Sequence, residues 1–416
     1  MEILIVSHFF APDPCAPAAR LSDLARYWTQ RGQRVQVLTS FPHHPTGVVP
    51  RRYHGRVHVH EQMDGFDVHR CYLYARPGGG FGSRGLGHLA FMVSAVVFGA
   101  RRIRCPDIIV VSSPTLFSVV SAWWIARRYR VPFVFEVRDL WPDAFAELGV
   151  LRNRFALSLF QRLARWLYRQ AAHIVVVTES FGDRLVATGV PRDKISFIPN
   201  GVDLDFFART DEYTDGSGKG IGSRGSGGTV LYCGAHGISH GLAAILEAAA
   251  RCQEDLPGWL FLFVGEGSEK QALMSRAESM GLDNVEFRPA VDHAAVPRLY
   301  QDAQICLVPL QKARILEIFI PSKMFEIMAA MRPIVASLRG EARRILERSG
   351  AAVVVDPEDA GAICTAVREL AADAGRRATM GSAGREFVRR YYNRRQQADL
   401  YERLLESILL SVGSAT

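Results

Sequence analysis

The 416-residue sequence has no CxxC pair, no basic segment leading into an apolar stretch at its start, and no unbroken apolar run of membrane-spanning length. Its seven cysteines, Cys15, Cys71, Cys105, Cys233, Cys252, Cys306 and Cys364, are scattered and odd in number. Those absences exclude a disulfide framework and a cysteine-built zinc site, and point to reduced thiols in a cytoplasmic protein. MEILIVSHFF offers no small-residue cleavage site, so no signal peptide is expected. LAFMVSAVVFGA (89–100) is too short to cross about 30 Å of hydrocarbon. The apolar stretch from Ile108 to Ala126 is split by Ser112, Ser113 and Pro114 into a strand and a helix. No recognition helix and no basic motif interleaved with aromatics is evident, which argues against nucleic acid as a partner.

What is present is a globular composition, 48% hydrophobic and 22% charged, long enough for two domains. Net charge is +8, and it is unevenly placed. Residues 1–199 hold 25 Lys and Arg against 14 Asp and Glu, or +11, whereas residues 200–416 hold 25 against 28, or −3. A basic first half facing an acidic second half implies an anionic partner for the first: a phosphate-bearing substrate or a membrane surface.

Short β-branched runs alternate with amphipathic segments along the first half. EILIVS (2–7), RVQVLTS (34–40), DIIVVSS (107–113), PFVFEVRD (132–139) and HIVVVTES (173–180) are expected as buried parallel strands, and residues 57–74 as a strand pair. RPGGGFGSRGLG (76–87) is expected as a loop ahead of a helix at 88–102. The alternation restarts after Asn200 with TVLYCG (229–234), WLFLFVGEG (259–267), VEFRPAV (285–291), ICLVPL (305–310), PIVAS (333–337) and AAVVVD (351–356). The division is therefore a first βα domain at 1–199, a second at 200–385 with a flexible Gly/Ser loop at 211–228, and a terminal helix at 386–416 expected to cross back to the first domain. Asn200 and Gly201 fit a hinge turn. Paired sheets of this kind bind ligands at the carboxyl ends of their strands.

Four strings carry chemistry: FFAPDPCAPAARLSDLARYW near the start, FIPNGVDLDFF (197–207), VGEG (264–267) and PSKMFEIMAAMRPIVAS (321–337). In this order and spacing they resemble glycosyltransferase family 4, retaining enzymes that use nucleotide-sugar donors. SFPHHPTG (40–47), EVRDLWPD (136–143) and the PSKxxE form are similar to bacterial enzymes of exopolysaccharide, O-antigen and colanic-acid type that extend polyprenyl-diphosphate-linked sugars. The resemblance implies an α/β chain of GT-B fold, two Rossmann-like domains facing each other across a cleft, the first (1–199) binding the acceptor and the second (200–385) the nucleotide sugar. It implies a nucleotide-sugar co-substrate, UDP-sugar favoured, with no obligatory cofactor.

On the donor side the resemblance gives Glu326 the ribose hydroxyls, a role suited to two acceptor oxygens. Lys323 is the expected point charge for the diphosphate, with Arg314 as a second and Ser322 opening the helix. Many relatives place an Arg and a Lys in the loop after the first strand of the second domain. Here CGAHGISHGL (233–242) has Ala235 and His240 there, leaving the backbone of Gly234, His236 and Gly237 to cradle phosphate. Gly265 and Gly267 let a nucleotide lie against backbone, and Arg288 falls where the base would be bound. Glu317 stands one position out of register with a glutamate usual in the family. Asp203-Leu204-Asp205 resembles a metal-binding DxD, but its hinge setting favours a cap, and no metal is expected.

On the acceptor side Arg20 opens a helix after a Pro-rich loop and is expected to meet phosphate. Asp139, at the end of a strand, is the candidate general base, with an N-cap as its alternative. The leaving phosphate could itself serve as base, leaving Asp139 to position the acceptor. His43 and His44 are expected to contact the acceptor. The arginine-rich helical segments, with residues 89–100 and the Phe81 loop, suit peripheral attachment to the inner face of the plasma membrane. Transfer to a soluble acceptor in secondary metabolism, nucleotide-sugar epimerisation and a catalytically silent sugar-nucleotide sensor are the rival readings.

Overall fold

The computed structural model describes residues 1–113, 115–143, 146, 153–208 and 227–413. The chain divides into two compact units, Met1–Asn200 with Arg395–Thr416, and Gly201–Arg394. Most of the Gly/Ser segment expected as a flexible loop, residues 211–226, lies outside the described residues.

The first unit is built on eight strands: β1 (Glu2–Val6), β2 (Arg34–Ser40), β3 (His58–Met63), β4 (Phe66–Cys71), β5 (Ile108–Ser112), β6 (Phe133–Val137), β7 (His173–Val176) and β8 (Ile195–Phe197). Their order is β3-β4-β2-β1-β5-β6-β7-β8, parallel except for the β3–β4 hairpin. That hairpin turns on Asp64-Gly65, both at positive φ, the two-residue turn whose twist matches the strands it joins. β1, β5 and β6 are buried along their whole length, which explains why they appear in sequence as continuous apolar runs. Helices α1 (Ala16–Gln30), α2 (Phe81–Ser94), α3 (Leu116–Tyr129), α4 (Arg154–Gln170) and α5 (Glu179–Ala187) accompany this sheet.

The glycine-rich stretch is a correction. Residues 81–87, expected as loop, form the first two turns of α2, which continues as a single π-turn at Ala95–Gly99. Glycine costs a helix up to about 1 kcal/mol per residue. Close packing offsets this: a Cβ on Gly87 would stand 2.5 Å from the Tyr74 carbonyl. The side chain of Phe81, invoked for membrane contact, lies outside the described side chains.

In the second unit, α6 (Leu204–Ala208) precedes β9 (Gly228–Cys233), β10 (Trp259–Val264), β11 (Val285–Arg288), β12 (Ile305–Pro309), β13 (Ile334–Ser337) and β14 (Ala352–Val355). All six strands are parallel, in the order β11-β10-β9-β12-β13-β14. Helices α7 (Ala243–Cys252), α8 (Lys270–Ser279), α9 (Val296–Asp302), α10 (Lys323–Ala329), α11 (Glu341–Ser349), α12 (Ala360–Ala372) and α13 (Ala374–Tyr391) belong to it. Its core gathers Val230, Phe261, Phe263, Ile305 and Leu307 from the strands with Ile245, Leu246, Ile363 and Val367 from α7 and α12.

Helix α14 (Arg394–Gly413) is separate from α13, where one terminal helix was expected. The break is held by backbone pairing: Val202 N–H donates to Tyr392 at 2.9 Å and Arg394 N–H to Val202 at 3.0 Å. Gly201 is the residue that fits, since a Cβ there would stand 2.8 Å from the Tyr392 carbonyl. Ala398, Tyr401, Leu405 and Ile408 of α14 then complete the core of the first unit beside Leu24 and Trp28 of α1. Trp28 Nε1 donates to the Ala398 carbonyl at 3.2 Å, and Tyr27 and Gln33 bond Asp399 and Glu402.

Candidate functional site

Each sheet has one place where its strand order reverses, between β1 and β5 in the first and between β9 and β12 in the second. Loops leaving the carboxyl ends there diverge and open a crevice. The candidate residues gather at these two places.

In the second unit, two glycine turns lie back to back. Gly234 N–H donates to Val264 at 2.9 Å, His236 N–H to Glu266 at 2.9 Å, and Glu269 N–H to His236 at 2.9 Å. Gly265 has φ +148°, and a Cβ on it would overlap the Gly234 carbonyl; one on Gly267 would overlap the His236 backbone. Gly237 is different, because a side chain there would meet open space. Lys270 ties these turns down by donating to the carbonyls of Gly265 and Arg288 at 2.9 and 3.0 Å.

Lys323 points under this lattice. Its amine lies 4.0 Å from the Tyr232 ring centre and is buried without a hydrogen-bond partner. A Cβ on Gly234 would come within 2.5 Å of that nitrogen. Burial lowers the amine to about 8, against the opposing pull of Cys233 and Glu326. Glu326, one turn further along α10, accepts the Tyr300 hydroxyl at 3.2 Å through Oε2. Ser322 occupies the N-cap position of α10 without a side-chain capping bond. His236 is fully buried, both ring nitrogens unpartnered, with its ring near Tyr232, Phe263 and Phe287. Burial lowers His236 to about 4 and His240 to about 3.

Two donor candidates stand apart from this cluster. Arg314 and Glu317 are exposed on a 3-10 turn and share a concavity of about 300 Å³ with Lys312 and Arg339. The Arg288 guanidinium pairs with Glu286 at 2.7 Å, and its backbone carbonyl takes part in the glycine lattice.

In the first unit, the β1 and β2 loops meet through Asp13, whose Oδ1 accepts the N–H groups of both His43 and His44 at 3.0 Å. Burial raises the Asp13 carboxyl, with His43 and these two donors opposing it. His43 stacks on Phe9 at 5.5 Å, and His44 is exposed. Two histidines not singled out in the sequence complete the group: His8, whose ring lies 5.1 Å from that of His43, and His88 of α2, 4.0 Å from His8. Both leave Nδ1 buried and unpartnered, and burial lowers both. His8 carried a signal, a polar residue directly after a buried strand; His88 carried none.

Arg20 has internal partners. Its Nε donates to Glu136 Oε2 at 3.1 Å, Nη1 to the Pro199 carbonyl at 2.7 Å and Nη2 to that of Ile198 at 3.2 Å. The Glu136 side chain is 0% exposed and also accepts from Ser112 Oγ at 3.0 Å. Burial would raise this carboxyl, but Arg20 and Arg138 hold it below the usual range. This geometry makes Arg20 a strut between α1 and the residues following β8. Arg138, overlooked in the EVRDLWPD string, is buried 3.6 Å from Glu136 with Nη1 lacking a hydrogen bond. Asp139 follows it, half-buried, its carboxyl raised by burial against the pull of Arg138.

Asp203 caps the short α6, accepting the N–H groups of Asp205 and Phe206 at 3.0 and 3.1 Å. Among the described residues no group of three or more His, Cys, Asp or Glu could hold a metal ion.

Two such sheets, with interlocked glycine turns at the carboxyl edge of the second and polar loops at that of the first, make a GT-B fold. Residues 16–201 match the glycosyl transferase 4-like domain and residues 227–373 the glycosyl transferases group 1 domain, and the chain belongs to this family. It is 27% identical over 379 residues to WcaI of Escherichia coli K12, assigned as a glycosyl transferase of colanic acid biosynthesis, covering 89% of this chain and 92% of that one. It is 27% identical to the GDP-mannose:cellobiosyl-diphosphopolyprenol alpha-mannosyltransferase of Xanthomonas campestris over 56% of this chain and 59% of the relative. Among solved structures it is similar to sucrose-phosphate synthase of Thermosynechococcus elongatus, with a TM-score of 0.72, 19% identity and 99% of both chains covered.

Proposed function

We propose that the protein transfers a sugar, with retention, from a nucleoside-diphosphate donor to a hydroxyl of a polyprenyl-diphosphate-linked sugar in cell-surface polysaccharide synthesis. The observation that carries the donor half is the buried, unpartnered Lys323 amine beside two glycine turns, with Glu326 held by Tyr300 one turn away. A cation at the leaving oxygens stabilises a departing diphosphate, whereas the N–H groups of Gly234 and His236, expected from sequence to cradle phosphate, are already bonded to Val264 and Glu266. A carboxylate one helical turn on suits ribose hydroxyls. Arg314, Arg288 and Glu317 have no part in this reading, and no metal is required by it.

For the acceptor half, Asp139 and the His43/His44 loop at the carboxyl edge of the first sheet bind and orient the hydroxyl. The raised Asp139 carboxyl suits a group that takes up a proton. The lipid-linked acceptor is supported by the likeness to WcaI and by the acceptor named for the Xanthomonas relative. It is also supported by Leu86, Leu89 and Val93 of α2, Trp124 of α3 and Phe155 and Leu159 of α4, all exposed, with Arg154, Arg162, Arg165 and Arg169 on α4. Such a surface suits an anionic bilayer. Among the described residues, no helix is long and apolar enough to cross a membrane.

UDP-sugar is the donor favoured from sequence, and GDP-mannose is the competing reading, because the Xanthomonas relative uses it. Thermal shift against UDP-, GDP- and dTDP-sugars decides between them. Loss of every shift in Glu326→Ala and Lys323→Ala supports the donor site. Binding that survives both substitutions refutes it, and epimerisation of donor without acceptor refutes the transferase reading.

A further inference from the structure

The loop between β9 and α7 holds an imidazole whose proton content depends on its neighbours. His240 leaves Nδ1 buried and unpartnered, while the Pro309 carbonyl faces the ring. The loop itself is pinned to the exit of β12, Gln311 N–H donating to Ser239 at 2.8 Å. The Tyr232 ring lies between two basic groups, 6.1 Å from the His240 ring and 4.0 Å from the Lys323 amine. The charged or titratable groups facing these two are His236 from the same loop, Cys233 and Tyr232 from β9 and its end, and Glu326 from α10. In the neutral tautomer that carries its proton on Nε2, the unpartnered Nδ1 presents a lone pair. That lone pair repels an anion; only an added proton makes Nδ1 a donor.

The buried Lys323 amine disfavours a second cation beside it, and burial with the Lys323 charge pushes His240 down to about 3. A diphosphate reverses both influences, by cancelling the lysine charge and offering oxygen acceptors. We propose that His240 binds a proton as the diphosphate of the nucleotide sugar enters, so that an imidazolium and Lys323 hold it together and donor binding is proton-linked. This rests on the donor-site reading above. In the transfer, the C1–O bond to the diphosphate breaks with its electron pair on the leaving oxygen. The acceptor hydroxyl gives one proton to the Asp139 carboxylate as its oxygen bonds C1, and Asp139 then releases it to solvent. The proton on His240 comes from solvent on binding and returns there when the nucleoside diphosphate leaves, so the overall balance is unchanged.

The test is calorimetric titration of the full chain with UDP-glucose and with GDP-mannose, whose diphosphates do not titrate near neutrality. Buffers of different ionisation enthalpy are compared at pH 6, 7 and 8. The wild type takes up a measurable fraction of a proton per nucleotide sugar bound. His240→Gln loses that uptake and binds about tenfold more weakly at pH 6, as expected for one charge-assisted hydrogen bond. His240→Arg binds without uptake, its affinity flat across the range. Uptake that persists in His240→Gln assigns the proton to Lys323 or His236 and overturns the inference, as does wild-type binding without uptake. Absence of binding by either nucleotide sugar refutes the donor-site reading itself. Circular dichroism melts confirm that each variant is folded.

Discussion

Replacing Arg20 by leucine separates two roles that give opposite results. In the structure Arg20 satisfies Glu136 and the carbonyls of Ile198 and Pro199. Removing one partner of a buried pair costs about 3–5 kcal/mol. The low end applies, because Glu136 keeps Ser112 at 3.0 Å and Arg138 at 3.6 Å. Loss of the two hydrogen bonds to carbonyls, at about 0.5 kcal/mol net each, brings the total to about 4 kcal/mol. For a unit of this size that is a fall of about 10 °C in melting temperature. The pH dependence carries a further sign. Glu136 is held below its ordinary range, so its contribution is present above about pH 4.5 and lost as pH falls through its folded value. The gap between wild type and Arg20→Leu is therefore widest at neutral pH and narrows towards pH 4. Urea denaturation followed by tryptophan fluorescence at pH 7, 5.5, 4.5 and 3.5 measures it. A variant within about 1 kcal/mol of wild type at pH 7, with weakened binding of phosphate-bearing ligands, would show that Arg20 is an anion ligand and would refute the strut.

Other outcomes follow from the same geometry. Tyr300→Phe removes the 3.2 Å bond to Glu326, and we expect donor KM to rise about fivefold with kcat nearly unchanged; a kcat effect alone would contradict a positioning role. Gly265→Ala places a methyl group into the Gly234 carbonyl at φ +148°, so donor binding is lost and the second unit destabilised; a normal melt with normal binding would be incompatible with the interlocked turns. His69 and His236 are held neutral by burial at about 4, against an unfolded value near 6.5. Stability is therefore intact above about pH 6.5 and falls below it, by about 3 kcal/mol per ring by pH 4, and a melting temperature constant down to pH 4.5 would sink this. Washing inverted-membrane fractions with increasing salt should release the protein progressively, and indifference to anionic vesicles at low salt would remove the membrane reading.

The fold was legible where burial writes itself into sequence. β1, β5 and β6 are covered on both faces, so continuous apolar runs marked them, and the order of alternation gave the class. β8, only three residues long, was passed over as part of the FIPNG phrase. The start of α2 was hidden behind its glycines, of which Gly87 packs against Tyr74, a contact with no local signature. In the donor region, Lys323, Glu326 and the two glycine turns do gather, since their spacing within each βα unit carries the pattern. The role of Arg20 could not be read in the same way. Its partner Glu136 lies 116 residues away, and pairing over that distance leaves no periodic trace. His8, His88 and Arg138 escaped notice for the same reason, being single polar residues whose meaning comes from neighbours on other strands.

The return of α14 to the first unit has a consequence for how the protein is made. Trp28 is fully buried, its ring 5.5 Å from that of Tyr401. The first 200 residues emerge from the ribosome well before that cover exists. At about 5–20 residues per second, the interval is about 10–40 s. During it the nascent first unit must carry an uncovered aromatic face while the second unit is still being synthesised. The two units can therefore begin folding in order, but the first can finish only after the second has been made. Ending the chain at Asn393 would leave the first-made part of the molecule permanently in the state of a chain still in synthesis.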